Sequence, residues 1–422
     1  MNKISSSTAS VEQVDVAILG AGMTGASLLH LLAPARAKGM KVALIDRQEI
    51  AAGQPMQQVS PSFDGRATAL SWGSSQLLRQ MNIWQHIAPH ACAIEHIQVS
   101  DRGRFGQTHL HASEQQTEAL GYIIENAHIG QGLLSGLTNQ PVQLYPNTVV
   151  ETAQITAKGP LLTLVSGKQI QAGLLVLADG ARSPLAKSLG IEHQKVEYNT
   201  TALVTQVEVD KHHRHWAYER FNDSGPIAFL PLRRREFAVV WTLSNDQLND
   251  YLNAPDFELI EELQSLIGLK VGRIERMGTR HTYPLSLLKS REQVRSGLVL
   301  LGNAAHSLHP VAGQGFNLAL RDTAALAESL LEGFEQGCHP GDLNRLQAYE
   351  QKQSQDQHNT ILASDLLPKV FSHSGLATTV GRDTGLLALS ALPDIRRVLT
   401  RHAMGLGQRA ARLSQLLSRT TN

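Results

Sequence analysis

The stretch Gly302-Asn303-Ala304-Ala305-His306-Ser307-Leu308-His309-Pro310-Val311-Ala312-Gly313-Gln314-Gly315-Phe316-Asn317 lies between an apolar run of strand length at 297–301 and apolar residues at helical spacing over 324–331. This spacing predicts a strand that hands over to a helix through a loop of small side chains. Gly313 and Gly315 let backbone come close to a ligand, and the unpaired N–H groups at the helix start receive negative charge. That chemistry suits an anionic or electron-rich cofactor. A second such place opens the chain. Residues 14–19 read as a buried strand, Gly20-Ala21-Gly22-Met23-Thr24-Gly25 as a tight turn, 26–32 as an apolar helix and 41–45 as a second strand ending in Asp46. A lone G-x-G-x-x-G carries little information, but this one has the strand before it, the helix after it and an acid about 20 residues on, as a dinucleotide site needs. Gly20, Gly22 and Gly25 are expected to seat a pyrophosphate, and Asp46 to accept the adenosine ribose hydroxyls.

Two further stretches are less specific. Residues 174–178 form a short apolar strand followed by Asp179-Gly180-Ala181-Arg182-Ser183-Pro184, which reads by itself as a turn, with Ser183 capping a helix and Pro184 at its first position. In Asp64-Gly65-Arg66-Ala67-Thr68-Ala69-Leu70, Arg66 is either a surface residue capping the next helix or a charge held toward the cofactor.

Together these stretches resemble the FAD-dependent aromatic-ring hydroxylases, whose Gly-Asp-Ala-Ala-His…Pro…Gly-x-Gly-x-Asn run is matched by residues 302–317 and whose Asp-Gly-x-x-Ser segment is matched by 179–183. The run 309–317 with Asp322 is similar to the signature of the ubiquinone-biosynthesis hydroxylases. Asn303 stands where the wider family has Asp, as in the branch that hydroxylates 2-polyprenyl-6-methoxyphenol, and Ala319 stands where that signature usually has Gly. The Asn amide oxygen can still accept a ribityl hydroxyl. In the Asp-Gly-x-x-Ser segment, Ala186 followed by Lys187 replaces the family's closing Arg.

The resemblance implies a fold of the α/β class, with a Rossmann-like FAD-binding domain, a mixed or antiparallel β-sheet substrate domain and a C-terminal helical extension. It implies cofactor contacts from Gly20, Gly22, Gly25, Asp46, Arg66, Asp179, Gly302, Asn303, Gly313, Gly315, Phe316 and Asn317. Pro310, Gly313, Gln314 and Gly315 would form the flavin-ring environment, with no acid or base assigned. NADH or NADPH would reduce FAD, which then activates O2 at C4a for transfer of one oxygen to a phenol ring. The implied substrate is a polyprenyl phenol, with 2-polyprenyl-6-methoxyphenol favoured over another ring position or another aromatic ring. The other proteins of ubiquinone biosynthesis are the expected partners. A non-catalytic flavin-binding assembly subunit and an NAD-dependent dehydrogenase are the rivals from other classes; the dehydrogenase leaves 302–322 unexplained.

A chain of 422 residues is too long for one ordinary core. Motifs that must meet around one cofactor divide it into a discontinuous FAD-binding domain (1–75, 96–190 and 275–335), a substrate domain (76–95 and 191–274) and a helical region (336–422). Residues 201–209 and 237–243 are rich in β-branched or alternating side chains and are expected to pair as an antiparallel substrate sheet. The formal net charge of +1 gives no broad electrostatic case for nucleic acid. No uninterrupted apolar run reaches the roughly 18 residues of a membrane span, and the first residues lack a signal-peptide core, so a cytoplasmic protein is expected. Cys92 and Cys338 are expected to be reduced thiols, and Lys211-His212-His213-Arg214-His215 a solvated turn with no metal. His306 and His309 are expected to serve hydrogen bonding or loop packing before catalysis. Basic, apolar residues at helical spacing over 396–419 suit either a helix packed on its own domain or one resting peripherally on the inner face of the membrane.

Overall fold

The computed structural model describes residues 11–50, 66–102, 107–222, 225–308 and 313–372, together with 396–397, 400–401 and 403–406. Its first sheet is built around the strand Glu12–Leu19, flanked in parallel by Val42–Ile45 on one side and Gln169–Leu177 on the other. Gln143–Tyr145 and Leu298–Leu300 extend it in parallel outward. Alternation decides what each face does. Val16, Ile18, Val42, Leu44, Leu174 and Val176 pack into one core with the helices Met23–Leu31 and Gln314–Glu335. The residues between them, among them Ala17, Ala43, Ile45, Leu175 and Leu177, bury against Leu162, Leu164 and Leu185 on the other side. Strand order reverses to either side of Glu12–Leu19, so the crevice at its carboxyl end is where a ligand of such a sheet binds.

The second sheet has nine strands and is largely antiparallel, with the long strand His193–Val209 paired to Glu236–Ser244 and to His281–Ser290. Leu203, Phe229, Phe237, Val239 and Trp241 on one of its faces bury against Leu259, Leu263 and Leu266 of the helix Asp256–Ile267. The opposite face meets a three-stranded sheet of Ala67–Ser71, Gly121–Glu125 and Cys92–Ile94, where Ala217, Ile97 and Leu230 pack with Ala67, Ala69 and Ile123.

Three boundaries drawn from the sequence change. His96–Asp101 and Gln107–His111, assigned to the nucleotide part, belong to the second sheet, because His96–Asp101 pairs in parallel with Trp216–Phe221. His281–Ser290, also assigned to the nucleotide part, is a strand of that same sheet. Residues 76–95 move the other way: Leu77, Leu78, Met81, Ile83, Trp84 and Ile87 bury in the nucleotide core. Apolar alternation identifies a strand or helix but not its partner. The described residues of the C-terminal stretch dock on the chain itself. Met404 is buried with Ala112 and Leu120, its carbonyl accepts from the Gly73 N–H at 2.8 Å, and Arg396 pairs with Glu114 at 3.1 Å.

The histidine turn also departs from expectation. His213 is buried, with its Nε2 at 3.8 Å from Cys92 Sγ. Its Nδ1 accepts the His215 N–H at 3.0 Å, which leaves the proton on Nε2, and His215 Nδ1 meets the Ala93 carbonyl at 3.0 Å as a donor. Burial holds the His213 imidazole down to about 4 and pushes the Cys92 thiol up to about 12. Cys92, His213 and His215 thus bring their ligating atoms within 4.8 Å of one another, with a neutral imidazole packed on a thiol.

Candidate flavin site

Gly20 through Gly25 leave the central strand and enter the helix Met23–Leu31, with Gly22 as an N-cap that offers no side-chain acceptor to the first N–H groups. Those donors are available to a phosphate. Two of the glycines are required by space. A Cβ on Gly20 would stand 2.5 Å from the Ala178 carbonyl oxygen at φ +106°, and one on Gly25 would stand 1.9 Å from that of Gly20. Asp46, at the end of Val42–Ile45, accepts the Ala21 N–H at 2.6 Å through Oδ2 and the Gln48 N–H at 2.8 Å through Oδ1. It therefore braces the glycine turn, and its remaining lone pairs are free for a ribose.

The other expected residues arrive from the neighbouring strand ends. Asp179 follows Gln169–Leu177; its Oδ1 is buried without a partner among the described residues, and burial, opposed by the Ser183 hydroxyl, raises its carboxyl above the usual range. Ser183 caps the helix Pro184–Ser188 by accepting the Ala186 N–H at 3.1 Å. Gly302 adopts φ +59° against Thr24, where a Cβ would be 2.5 Å from the Thr24 hydroxyl, so the second glycine-rich loop rests on the helix of the first. Asn303 beside it is exposed. Arg66 lies over the Tyr283 ring at 4.7 Å, at the seam between the small sheet and the substrate sheet. His309 and Pro310 lie outside the described residues.

The helix Gln314–Glu335 begins at Gly313, whose φ of +62° and lack of a capping side chain leave its first N–H groups open. Gln314, Gly315 and Phe316 in the first turn are half-buried. Around Gly315 a Cβ would meet nothing within 4 Å. Vacant space beside uncapped donors at one helix start, and the phosphate-ready turn at the other, fit a dinucleotide with a flat anionic ring. Gly315→Ala should accordingly leave the apoprotein as stable or steadier by about 0.4–1 kcal/mol, yet weaken flavin affinity at least several-fold. Thermal unfolding of apoprotein and flavin titration measure the two effects separately.

Asn317 has a structural role that the sequence did not suggest. It is 1% exposed; its Oδ1 accepts the Ser71 N–H at 2.8 Å and its Nδ2 donates to Ala69 O at 2.8 Å and Gly313 O at 2.9 Å. Both amide protons are used inside the protein, so the side chain holds the strand Ala67–Ser71 to the helix start. Behind it His306 has the hydrogen-bonding role expected of it, with partners that the sequence did not name. His306 Nε2 meets Asp322 Oδ2 at 2.8 Å, and Gln357 donates to the same oxygen at 3.0 Å. This buried pair ties the loop to both long helices. The spacing of His306 and Asp322 within one cofactor run was its one signal.

The comparisons with known proteins agree with this geometry. A family model described as FAD binding domain matches residues 13–361. The chain is 33% identical over 405 residues to the ubiquinone hydroxylase UbiL of Rhodospirillum rubrum, covering 94% of this chain and 91% of that protein. It is 27% identical over 401 residues to the 3-demethoxyubiquinol 3-hydroxylase of Escherichia coli, covering 94% and 99%. The p-nitrophenol 4-monooxygenase PnpA of Pseudomonas putida shares the fold, with a TM-score of 0.75 at 16% identity over 94% of this chain and all of that one. With the glycine turn, Asp46 and the uncapped helix start at Gly313 all in place, the chain belongs to the FAD-binding-domain family, and FAD is its cofactor.

Proposed function

We propose that this FAD-dependent monooxygenase hydroxylates a polyprenyl phenol of ubiquinone biosynthesis, with 2-polyprenyl-6-methoxyphenol as substrate and the corresponding 1,4-benzoquinol as product. The observation that carries it is the uncapped, glycine-lined helix start at Gly313, placed beside an apolar sheet face. Ala69, next to Gly313, packs in the group that holds Ala217 and Leu230 of the second sheet. A ring lying on that face reaches the flavin end of the site. FAD, reduced by NADH or NADPH, supplies the activation of O2. The chain's part is to bind, orient and exclude water. The first-turn N–H groups of Gln314–Glu335 stabilise negative charge placed at the helix start. Asn317 and the His306–Asp322 pair keep that donor set rigid.

Among the described residues no helix is long and apolar enough to cross a bilayer. The likeness to a 3-demethoxyubiquinol 3-hydroxylase supports a second reading, hydroxylation at another ring position of a later intermediate. Cells that lack the protein discriminate between the two. Their lipid extracts should accumulate 2-polyprenyl-6-methoxyphenol and regain ubiquinone when the gene is restored; accumulation of a demethoxyquinol in its place would shift the assignment to the second position.

A further inference from the structure

Glu219 occupies a place that the cofactor chemistry leaves unexplained. On Trp216–Phe221 the side chains alternate. Tyr218 and Arg220 turn to the helix-covered side, where they reach the Lys270 and Ile267 carbonyls at 3.3 and 3.5 Å. Ala217 and Glu219 turn the other way, and Ala217 packs with Ala67 and Ala69 of the small sheet. Direct pairing across the second sheet sets Val99, Glu219, Ala228, Val240, Val204 and His281 in one row on that face. The first five are half-buried, so an apolar strip with a single carboxylate in it looks onto the support of the glycine loop.

We propose that Glu219 is the general base of this site, accepting the hydroxyl proton of a phenol that lies along the strip between the second sheet and the helix start at Gly313. This rests on the functional reading above. The phenol O–H bond breaks, a carboxyl O–H bond forms, and the negative charge passes to the phenolate, which enriches the ring carbons ortho and para to oxygen. Once one oxygen atom from O2 has been added, the substituted carbon loses its hydrogen to solvent and Glu219 returns its proton to the ring oxygen, so its own protonation is unchanged over the cycle. NAD(P)H supplies the two electrons and the second oxygen atom leaves as water.

The environment is suited to the task. Burial pushes the Glu219 carboxyl up to about 7, and among the described residues no cation and no donor acts on it. A base with that affinity is ionised above neutrality and strong enough to hold a phenol proton. The titratable groups on this sheet face include Asp101, buried two residues along from Val99, His281 at the end of the row, Tyr283 with Arg66 stacked on it, and, at the far end, Glu236 opposite Glu208, which is engaged by Arg235 and Arg276. Val99 and Ala228 flank the carboxyl directly and carry no charge.

The test compares wild-type and Glu219→Gln holoprotein on the prenyl phenol over pH 5.5–9. We expect the variant to keep its FAD and its reduction by NAD(P)H, to lose about 100-fold in kcat with little change in KM, and to lose the rise in kcat/KM through pH about 7. A variant within about threefold of wild type, with the same pH profile, overturns the assignment and leaves the functional reading standing. Should Glu219→Gln fail to hold FAD, Glu219→Asp decides: a slower enzyme that keeps the pH rise supports the base, and a flat profile contradicts it. Wild-type holoprotein that hydroxylates no prenyl phenol removes the functional reading and the base together.

Discussion

Gly25→Ala is expected to yield colourless protein. The added Cβ would stand 1.9 Å from the Gly20 carbonyl oxygen and 3.2 Å from the Ile18 side chain, and the closest of these is backbone that cannot rotate away. The helix Met23–Leu31 must therefore move from the turn by more than a rotamer change can absorb. Overpacking of this kind costs about 1–3 kcal/mol in the fold. The cost to the cofactor is larger, because the shift displaces the N–H groups that face the pyrophosphate and breaks the register in which Asp46 accepts the Ala21 N–H. Flavin absorbance of the purified variant and the midpoint of its thermal unfolding read the two losses. A yellow variant with normal FAD content would remove the turn from the cofactor site. Gly315→Ala is the counterpart, since its added methyl meets only open space.

Asp322→Ala is expected to cost the largest share of stability of any single change considered. Asp322 is fully buried, and one of its oxygens takes both the His306 Nε2 and the Gln357 Nε2 contacts. Truncation leaves two buried donors without an acceptor at about 1–3 kcal/mol each, so roughly 2–6 kcal/mol in all. His306 has no second support, because its Nδ1 is already buried without a partner among the described residues. The loop 302–307 should then loosen from the helix Gln314–Glu335, and flavin should dissociate before the rest of the chain unfolds. Asp322→Asn, whose amide oxygen can take both contacts but without the carboxylate charge, is expected to fall between wild type and Ala. Denaturant unfolding followed by flavin and by tryptophan fluorescence reports the order of events; an Ala variant as stable as wild type would show that the pair carries no such weight.

What the sequence made legible follows from the range over which each feature acts. The glycine turn and the Ser183 cap are local, dictated by a spacing of a few residues, and Asp46 follows within one strand–helix–strand unit. The antiparallel pairing of 201–209 with 237–243 was readable from β-branched alternation. Asn317 was legible as part of the cofactor run but not in its role, because its partners Ser71 and Ala69 are more than two hundred residues away and only the fold brings them near. The place of Glu219 has no local signal. Its meaning depends on which face it takes, which pairing with both Ile227–Pro231 and His96–Asp101 decides. The placement of His96–Asp101 in the second sheet likewise comes from a parallel partner, Trp216–Phe221, that no local pattern names.

The central claim is that this chain inserts an atom of dioxygen into a prenylated phenol. Purified holoprotein incubated with 2-polyprenyl-6-methoxyphenol, NADH or NADPH and isotopically heavy dioxygen, with the products resolved by mass spectrometry, tests it most directly. The account predicts a benzoquinol carrying one heavy oxygen atom, formed in proportion to the nicotinamide oxidised. Nicotinamide oxidation that yields only hydrogen peroxide, with the phenol recovered unchanged, would contradict it.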